Sequence, residues 1–288
     1  MKAISRIIYI PRTPARVRLY FIGDLHIATI LCDKKKLKET IDEIKNTPDA
    51  YWIGMGDYGD YVGITDKRFD LELLDYEALK EKKDLFQQLK DIKFIGQWTT
   101  NQIVKTLKPI ADKGLFLLKG NHEETMEQKS GQPVMDWISD SLNLPNVGFE
   151  VMAKLKFRAK AYDKHISSIV IYASHGWGYG RKSGAKLNRI EEMAESFVAD
   201  IYVAGHVHVL TGSRKSRYYY SQSDRIHKKD VVYIRSGSFK LGRVPDKDSG
   251  VSYEEKRGYH EQSTGPAIVN VFVYNNKNKN WVKLRVEL

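Results

Sequence analysis

The feature that most constrains how this chain can fold is a short apolar run that ends in a cluster of polar residues, a pattern that occurs five times. The runs have the length and the β-branched and aromatic content of buried strands. They end in the tetrapeptides GDLH, GMGD, GNHE, SHGW and GHVH, at residues 23–26, 54–57, 120–123, 174–177 and 205–208. In an α/β sheet, loops at one end of the strands form the usual ligand crevice, so polar groups far apart in sequence can converge there.

Helical patterns separate several of these runs. Asp33 predicts the start of one helix and Thr47-Pro48 its end. Asn188 followed by Glu191 resembles a capping box that would begin another helix. The apolar stripes of three predicted helices are Leu37, Ile41 and Ile44; Ile103, Leu107 and Ile110; and Ile190, Met193, Ala194 and Phe197. Strands that alternate with helices predict an α/β layered fold.

We expect a single domain over residues 1–288, because no linker long enough to divide the chain interrupts the pattern. The highly charged segment 66–93, with Leu85 and Leu89 at helical spacing, predicts a helical elaboration at about 66–110. The apolar runs AIVNVFVYNN and WVKLRVEL flank an Asn/Lys turn, which predicts a C-terminal β-hairpin at about 266–288. That hairpin would give a mixed sheet an antiparallel edge.

Composition narrows the class of protein. No apolar run approaches the ~18–20 residues that span a bilayer, and the first residues lack the order of a signal peptide, so we expect no membrane partner. Cys32 is the only cysteine, which excludes an intrachain disulfide and a thiolate metal site and favours a reducing, cytoplasmic setting. The net charge of +11 favours an anionic partner, including nucleic acid. The surplus is scattered along the chain, however, and the preferred interpretation of the charge runs is that they are solvated faces.

The polar groups at the strand ends are those that bind metals. Five of the eight histidines lie in these loops, together with carboxylates and one amide. This ligand set, without a thiolate, suits divalent first-row metals of intermediate hardness, and it is large enough for two ions. The candidate ligands are Asp24, His26, Asp57, Asn121, His175, His206 and His208. Each motif taken alone, such as Asp-Leu-His, is more often a satisfied turn than a metal site.

Taken together and in this order, the five segments resemble the signature of the calcineurin-like metallophosphoesterase superfamily. The matching blocks cover residues 24–208, and the turn at residues 236–238 resembles the closing turn of that family. The resemblance implies a four-layer αββα sandwich of mixed β-sheets flanked by helices, with a binuclear metal site. It implies that Asp57 bridges both ions, that Asp24, His26 and His208 complete one, and that Asn121, His175 and His206 complete the other.

The resemblance also implies a reaction. Two cations can hold a hydroxide between them as the nucleophile and clamp the phosphoryl oxygens during in-line displacement. His122 would face the substrate as the general acid, oriented by Asp60, a transfer that typically contributes ~10²–10⁴-fold. The expected cofactors are two divalent ions, Mn²⁺, Fe²⁺ or Zn²⁺, with Mn²⁺ favoured. Glu123 and Glu124 are interpreted as the start of the next helix, where acidic groups suit the macrodipole.

The residues near the site favour a phosphodiester. Protein phosphatases of this superfamily carry arginines after the second Asp block and before GNHE, whereas this chain has Tyr61-Val62 and Lys119 there. We therefore expect a phosphodiesterase for a nucleotide or nucleic acid. The alternatives are a phosphomonoesterase, a non-catalytic scaffold, and a nucleic-acid-binding protein whose hydrolase site is secondary. The oligomeric state stays open.

Two further segments invite a functional interpretation. In residues 174–186 the spacing meets neither phosphate-loop pattern, so a glycine-rich loop is one interpretation. The other is that Trp177, Tyr179, Arg181 and Lys182 contact the substrate. Residues 213–225 mix basic and aromatic side chains, as in proteins that bind single-stranded nucleic acid. An exposed strand with alternating polar groups is the slightly preferred alternative for that segment.

Overall fold

The structure, a computed structural model, describes residues 1–62, 73–75, 95–159, 164–177, 183–220, 224–243, 253–256, 258, 263–276 and 279–288. The strands are β1 (Lys2–Ile10), β2 (Ala15–Ile22), β3 (Ala50–Gly54), β4 (Gly114–Leu117), β5 (Glu150–Ala159), β6 (Lys164–Ser174), β7 (Ile201–Ala204), β8 (Leu210–Tyr220), β9 (Ile226–Ser238), β10 (Gly265–Asn276) and β11 (Lys279–Glu287). The helices are α1 (Lys34–Asn46), α2 (Ile95–Leu107), a 3₁₀ helix (Lys108–Lys113), α3 (Asn121–Ser130), α4 (Val134–Leu142), α5 (Ser183–Ser196) and α6 (Tyr253–Lys256).

The eleven strands of the described residues form one mixed sheet in the order β1-β5-β6-β7-β9-β10-β2-β3-β4, with β8 paired to β9 and β11 paired to β10. The β9–β10 connection is short, since only Ser238 and Gly237 pair there, with Gly265 and Pro266. It divides the sheet into two halves. Parallel pairs such as β2–β3 and β6–β7 lie next to antiparallel pairs such as β5–β6 and β10–β11.

The two halves of the sheet pack face to face. Apolar side chains from β1, β5, β6, β7 and β9 share one core with side chains from β2, β3, β4, β10 and β11. A second core joins the outer face of one half to α1, α2, α3 and α4. A third core joins the outer face of the other half to α5. The four-layer αββα sandwich that the sequence resemblance implies is therefore confirmed.

Helix α1 follows the sequence pattern closely. The Asp33 side chain accepts a hydrogen bond from the Lys36 backbone N–H (2.9 Å) and thereby caps the first turn. Leu37, Ile41 and Ile44 are buried, and burial of each stabilises the fold by ~1.5–3 kcal/mol. The predicted start, end and buried face of this helix are confirmed.

Helix α5 starts earlier than the sequence suggests. It begins at Ser183, so Asn188 lies on the exposed helix surface and the capping-box interpretation is wrong. A capping box needs its first residue at the helix start, whereas Asn188 and Glu191 both lie inside α5, and the Glu191 carboxylate accepts from the Lys215 ammonium of β8. The stripe behind it is correct, since Ile190 and Met193 are buried in the third core.

Two strands were not anticipated from the sequence. In β5 the residues Val151, Ala153, Leu155 and Phe157 are buried and alternate with more exposed positions, which is the signature of a strand with one core face. Its neighbour β1 runs parallel to it at the edge of the sheet.

The predicted elaboration at 66–110 is described only in part. Helix α2 and the start of the 3₁₀ helix fall inside it, whereas Leu85 and Leu89 lie outside the described residues. At the C-terminus β10 and β11 form an antiparallel pair. The division into one domain with these two additions stays a prediction. None of the described helices is long and apolar enough to cross a membrane.

Candidate metal centre

The candidate ligands follow the carboxyl ends of β2, β3 and β4, which are neighbours in one half of the sheet, and of β6 and β7, which are neighbours in the other half. Their loops are tied together by backbone hydrogen bonds, such as Leu25 N–H to Asp57 O (2.9 Å). Glycines allow the close approach. A Cβ on Gly120 would lie 2.1 Å from Asp57 Oδ1, and one on Gly205 would lie 2.8 Å from Asp24 Oδ2. Side chains larger than hydrogen at either position would push the ligand loops apart.

The first ligand cluster is Asp24, His26 and His208. One ligand atom of each lies within 4.8 Å of the others. His26 Nε2 is 3.0 Å from His208 Nε2, and His208 Nε2 is 3.5 Å from Asp24 Oδ1. Metal–nitrogen bonds are ~2.0–2.1 Å long. Two imidazole nitrogens about 3 Å apart can therefore occupy two neighbouring positions around one metal ion.

The second cluster is Asp57, His175 and His206, whose ligand atoms also lie within 4.8 Å of one another. Asn121 completes it, because its Oδ1 is 2.7 Å from His206 Nδ1 and 3.1 Å from His175 Nε2. His175 Nε2 is 3.2 Å from Asp57 Oδ2. The structure therefore brings together all seven predicted ligands as two adjacent groups.

The donor set and its surroundings fit divalent cations. Asp24 Oδ1 is buried without a hydrogen-bond partner, and an uncompensated carboxylate oxygen is costly unless a cation faces it. The Nδ1 atoms of His26 and His175 are held by Asp60 Oδ1 (2.9 Å) and by the Met55 carbonyl (2.7 Å). Each contact leaves Nε2 for a metal, which is the usual outer-shell arrangement of ligating histidines.

The backbone of the ligand loops is strained. Five ligands have positive φ: Asp24 at 49°, His26 at 48°, Asp57 at 51°, His206 at 71° and His208 at 50°. Such conformations typically cost ~1–3 kcal/mol each and cluster at functional sites. The strain is sustained because the loops hold one another through the hydrogen bonds described above. No sequence pattern revealed this feature.

Burial and neighbouring charges shift the pKa values of the candidate ligands in different directions. Burial raises the pKa of Asp24, against the attraction of His175. Burial and the charge of Lys240 lower the pKa of His26 to about 4, so its imidazole is neutral and ready to ligate. Burial would lower the pKa of His175, but the charge of Asp57 outweighs it and raises that pKa to about 10.

His122 and Asp60 lie beside the two clusters. The backbone N–H of His122 donates to Asp57 Oδ1 (2.9 Å), and its Nδ1 contacts the backbone carbonyl of Asp60. The Asp60 carboxylate is nearer to His26 Nδ1 (2.9 Å) than to His122 Nδ1 (3.9 Å). Asp60 thus contacts His122 through its main chain and His26 through its side chain, a division that the sequence did not suggest.

Glu123 was interpreted only as the start of a helix, and the structure gives it a further role. It lies in the first turn of α3, fully buried, and its carboxylate accepts four backbone N–H groups. The donors are Asp57 (2.9 Å), Tyr58 (2.8 Å), Gly59 (3.3 Å) and Gly120 (2.9 Å). Burial, and then the charge of Asp57, raise the pKa of Glu123 to about 7. Its position in GNHE was the only available signal.

Two lysines near the site differ in their surroundings. The Lys119 ammonium contacts the carboxylates of Glu124 and Glu127 and lies 5.5 Å from the Phe149 ring centre. Lys240, which sequence reasoning missed, follows β9, and its charge contributes to the lowered pKa values of His26 and Asp60. Lys119 thus pairs with acidic neighbours, whereas the charge of Lys240 influences His26 and Asp60 of the candidate site.

The remaining predicted substrate contacts can be placed only in part. Trp177 lies two residues beyond His175, and 57% of it is exposed at the surface. Tyr179, Arg181 and Lys182 lie outside the described residues. Arg235 of β9, a residue that sequence reasoning did not select, is buried and donates to the Gly205 carbonyl (3.3 Å), which supports the loop before His206.

Comparison with known proteins supports this picture at the level of the family. The family model described as calcineurin-like phosphoesterase matches residues 17–210. No curated protein matches the chain.

Two solved structures are similar over most of their length. Vacuolar protein sorting 29 from Cryptosporidium parvum is 13% identical, with 94% of this chain and 98% of that chain covered and a TM-score of 0.33. GAP50, the anchor in the inner membrane complex of Plasmodium, is 12% identical, with 95% and 90% covered and a TM-score of 0.39. At these values neither likeness bears on the activity of this chain.

Proposed function

Because this chain belongs to the calcineurin-like phosphoesterase family, we propose that it is a binuclear metal-dependent hydrolase of phosphate esters and that it acts on phosphodiesters. The observation that carries the proposal is the pair of adjacent ligand clusters with a histidine, His122, at their rim. Bound divalent cations would supply Lewis acidity to the phosphoryl oxygens and a water nucleophile at neutral pH.

The first proposed role of the protein's side chains is to bind two divalent cations. Asp24, His26 and His208 would hold one, and Asn121, His175 and His206 the other, with Asp57 shared between them. We propose Mn²⁺ first and Fe²⁺ or Zn²⁺ as alternatives, because the oxygen and nitrogen ligands suit all three. A cytoplasmic setting is proposed on the ground that Cys32 is the only cysteine.

His122 is the proposed general acid. A backbone carbonyl can only accept a hydrogen bond, so the contact with the Asp60 carbonyl fixes a proton on His122 Nδ1. The proton that moves is therefore the one on Nε2, which would pass to the leaving oxygen as the phosphorus–oxygen bond breaks. The Asp60 carboxylate lies 3.9 Å from His122 Nδ1, beyond hydrogen-bond distance, so the main-chain contact orients the ring.

Glu123 and Asp60 are proposed positioning residues. Glu123 holds the backbone around Asp57 against the start of α3, so both the bridging carboxylate and His122 depend on it. Asp60 fixes the ring of His26 in the orientation that directs Nε2 to the metal.

The preference for a diester is supported by the side chains that replace the phosphatase arginines. Lys119 is engaged by Glu124 and Glu127, and Tyr61 is buried with its hydroxyl 2.9 Å from Thr100 Oγ1. Neither is free to neutralise the second charge of a monoester dianion. A phosphodiester carries one charge and makes a smaller demand on cationic side chains.

Phosphomonoester hydrolysis is the second candidate, and Lys240 is the observation that favours it. Its charge acts on His26 and Asp60, so it could balance the second charge of a monoester. Trp177, Arg181 and Lys182 remain proposed substrate contacts for either ester.

A substrate panel tests the proposal. Protein stripped of metal and reloaded with Mn²⁺ would be assayed on bis(p-nitrophenyl) phosphate, p-nitrophenyl phosphate, cyclic nucleotides and oligonucleotides. We expect turnover of the diesters and little of the monoester, with all turnover lost in Asp57→Asn. Turnover of the monoester alone would contradict the diester preference. No turnover with any metal would contradict the hydrolase and favour a scaffold.

A further inference from the structure

A cleft is lined by residues of β8 and of the C-terminal strands β10 and β11. Its volume is about 700 Å³, within the ~300–1,000 Å³ range of ligand sites. The residues that line it are Gly212, Ser213, Arg214, Phe272, Tyr274, Lys283, Arg285, Val286 and Leu288. We refer to these residues as the basic cleft.

The cleft concentrates positive charge. Arg214, Lys283 and Arg285 line it, and none of the described residues that line it has an acidic side chain. Arg214 Nη1 donates to the Leu284 carbonyl (3.3 Å) and lies 3.8 Å from Asp230 Oδ2, so its guanidinium is held in place. Within the described part of the chain, no carboxylate lies within ion-pair distance of Lys283 or Arg285. This local excess fits an anionic ligand better than it fits a balanced, solvated surface.

Aromatic rings lie beside these cations. Phe272 and Tyr274 line the cleft, and Tyr274 stacks on Trp281, with ring centres 4.8 Å apart and planes 7° apart. Farther along β8, Tyr218 and Tyr220 are each 70% exposed. Exposed aromatic rings leave apolar surface in water, and a planar ligand that stacks on them would bury that surface.

We propose that the basic cleft binds single-stranded nucleic acid, with phosphates on Arg214, Lys283 and Arg285 and unpaired bases against the aromatic side chains. Cations that follow a backbone and rings on which bases stack are the two elements of sequence-independent single-strand binding. A duplex hides its base faces and could use only the cations. An acidic peptide likewise has no bases to stack.

The cleft is also close to the metal ligands along the chain. Arg214 lies six residues beyond His208, which limits their separation to ~20 Å of extended chain. At the ~3.4 Å spacing of phosphates along a stacked strand, about six nucleotides would span that distance. The proposal that the cleft binds nucleic acid does not depend on catalysis. A role of the cleft in delivering substrate to the metal centre rests on the proposed function.

Fluorescence anisotropy tests the binding. The probes are fluorescein-labelled single strands of DNA and RNA of about 16 nucleotides, the upper end of known single-strand site sizes, and a duplex of the same length. Excess EDTA keeps hydrolysis out of the measurement, so that a failed assay would not be confused with an inactive metal centre.

The triple variant Arg214→Ala, Lys283→Ala, Arg285→Ala is expected to bind a single strand about tenfold more weakly. Its salt dependence, the slope of log K against log salt, is expected to fall by about 2, because each phosphate contact contributes ~0.7. The double variant Lys283→Gln, Arg285→Gln leaves the contacts of Arg214 in place and is expected to lower the slope by about 1.4. Tyr274→Ala removes one stacking ring and is expected to weaken single-strand binding about tenfold.

A matched control removes three exposed lysines elsewhere, Lys38 on α1, Lys105 on α2 and Lys154 on β5. It is expected to bind within about twofold of the wild type. Equal weakening in this control would overturn the proposal, because the net charge alone would then explain binding. A duplex or heparin that binds as tightly as the single strand, or no binding at all, would also overturn it. Unchanged hydrolysis of bis(p-nitrophenyl) phosphate by the triple variant would show that the metal centre is intact.

Discussion

The carboxylate of Glu123 holds the backbone of Asp57: its Oε2 accepts the Asp57 N–H at 2.9 Å, although the two residues are 66 positions apart. The same carboxylate accepts from Gly120, the residue before Asn121. One buried side chain therefore fixes two loops that carry metal ligands, and its replacement should act through the metals rather than through contact with substrate.

Glu123→Gln is expected to weaken metal binding about 10–100-fold, the usual cost of losing an outer-shell partner. The amide keeps the shape of the carboxylate but places an NH₂ group opposite backbone donors. Metal affinity measured by calorimetry is the test, and Glu124→Gln on the same helix is the control. Glu124 contacts Lys119 rather than a ligand loop, so equal losses in both variants would contradict this role.

His122→Ala is expected to lower kcat ~10²–10⁴-fold while the metal content stays the same, because the proposed general acid is lost and the ligands remain. The loss should be smaller for a p-nitrophenyl ester than for an alkyl ester, since p-nitrophenolate leaves without a proton. Steady-state kinetics on both esters, with metal analysis of the same samples, would check this. An equal loss on both leaving groups would argue against His122 as the acid.

Asp60→Asn is expected to differ from His122→Ala. The Asp60 carboxylate lies 2.9 Å from His26 Nδ1, so the substitution should weaken metal binding about tenfold or more. The contact between the Asp60 carbonyl and His122 is main-chain and should survive. At saturating Mn²⁺ we therefore expect kcat to recover in Asp60→Asn and to stay low in His122→Ala. Failure of Mn²⁺ to restore Asp60→Asn would show that its main role is with His122.

Lys119 and Lys240 offer a matched pair of substitutions. Lys119→Gln is expected to leave kcat/KM for a diester within about twofold, because its ammonium already contacts Glu124 and Glu127. The ion pairs are partly exposed, so the loss of stability should not exceed ~1 kcal/mol. Lys240→Gln is expected to raise KM, and more for a monoester than for a diester. A larger effect of Lys119 than of Lys240 on KM would reverse this assignment.

The seven candidate ligands could be selected from the sequence because each is a metal-binding residue type that closely follows an apolar run. Residue type and strand position are local properties, so a single sequence shows them. The strands β2, β3 and β4 are parallel neighbours in one half of the sheet, as are β6 and β7 in the other, so each half carries its candidate ligands to one end.

The rest of the site depends on contacts between distant loops, which one sequence does not encode in a readable pattern. Glu123 looks like an ordinary acidic residue of a first helical turn until the Asp57 loop lies on it. The positive φ values of Asp24 and His206 also follow from loops that hold each other. Asn188 misled because the helix begins five residues before it, at Ser183, and Glu191 contacts Lys215 of another element. A local sequence pattern does not predict the role of a residue when contacts with distant loops determine that role.

Cys32 gives a prediction about stability and pH. Burial raises the pKa of its thiol to about 12, against an ordinary value of 9.0. In the unfolded chain the thiol loses its proton as pH rises through about 9, whereas the folded chain keeps it until about 12. The stability that Cys32 contributes is thus constant below pH 9 and is lost between pH 9 and 12.

Between pH 8 and pH 10 this loss should amount to about 1 kcal/mol of unfolding free energy. The measurement is urea unfolding of the wild type and of Cys32→Ala at both pH values. Cys32→Ala is the control, because it lacks the titrating thiol. Buried tyrosines such as Tyr58 are common to both proteins, so their effect cancels in the comparison. Equal losses in the two proteins, or rapid alkylation of Cys32 by iodoacetamide in the folded chain at pH 8, would show that the thiol is not protected as the structure places it.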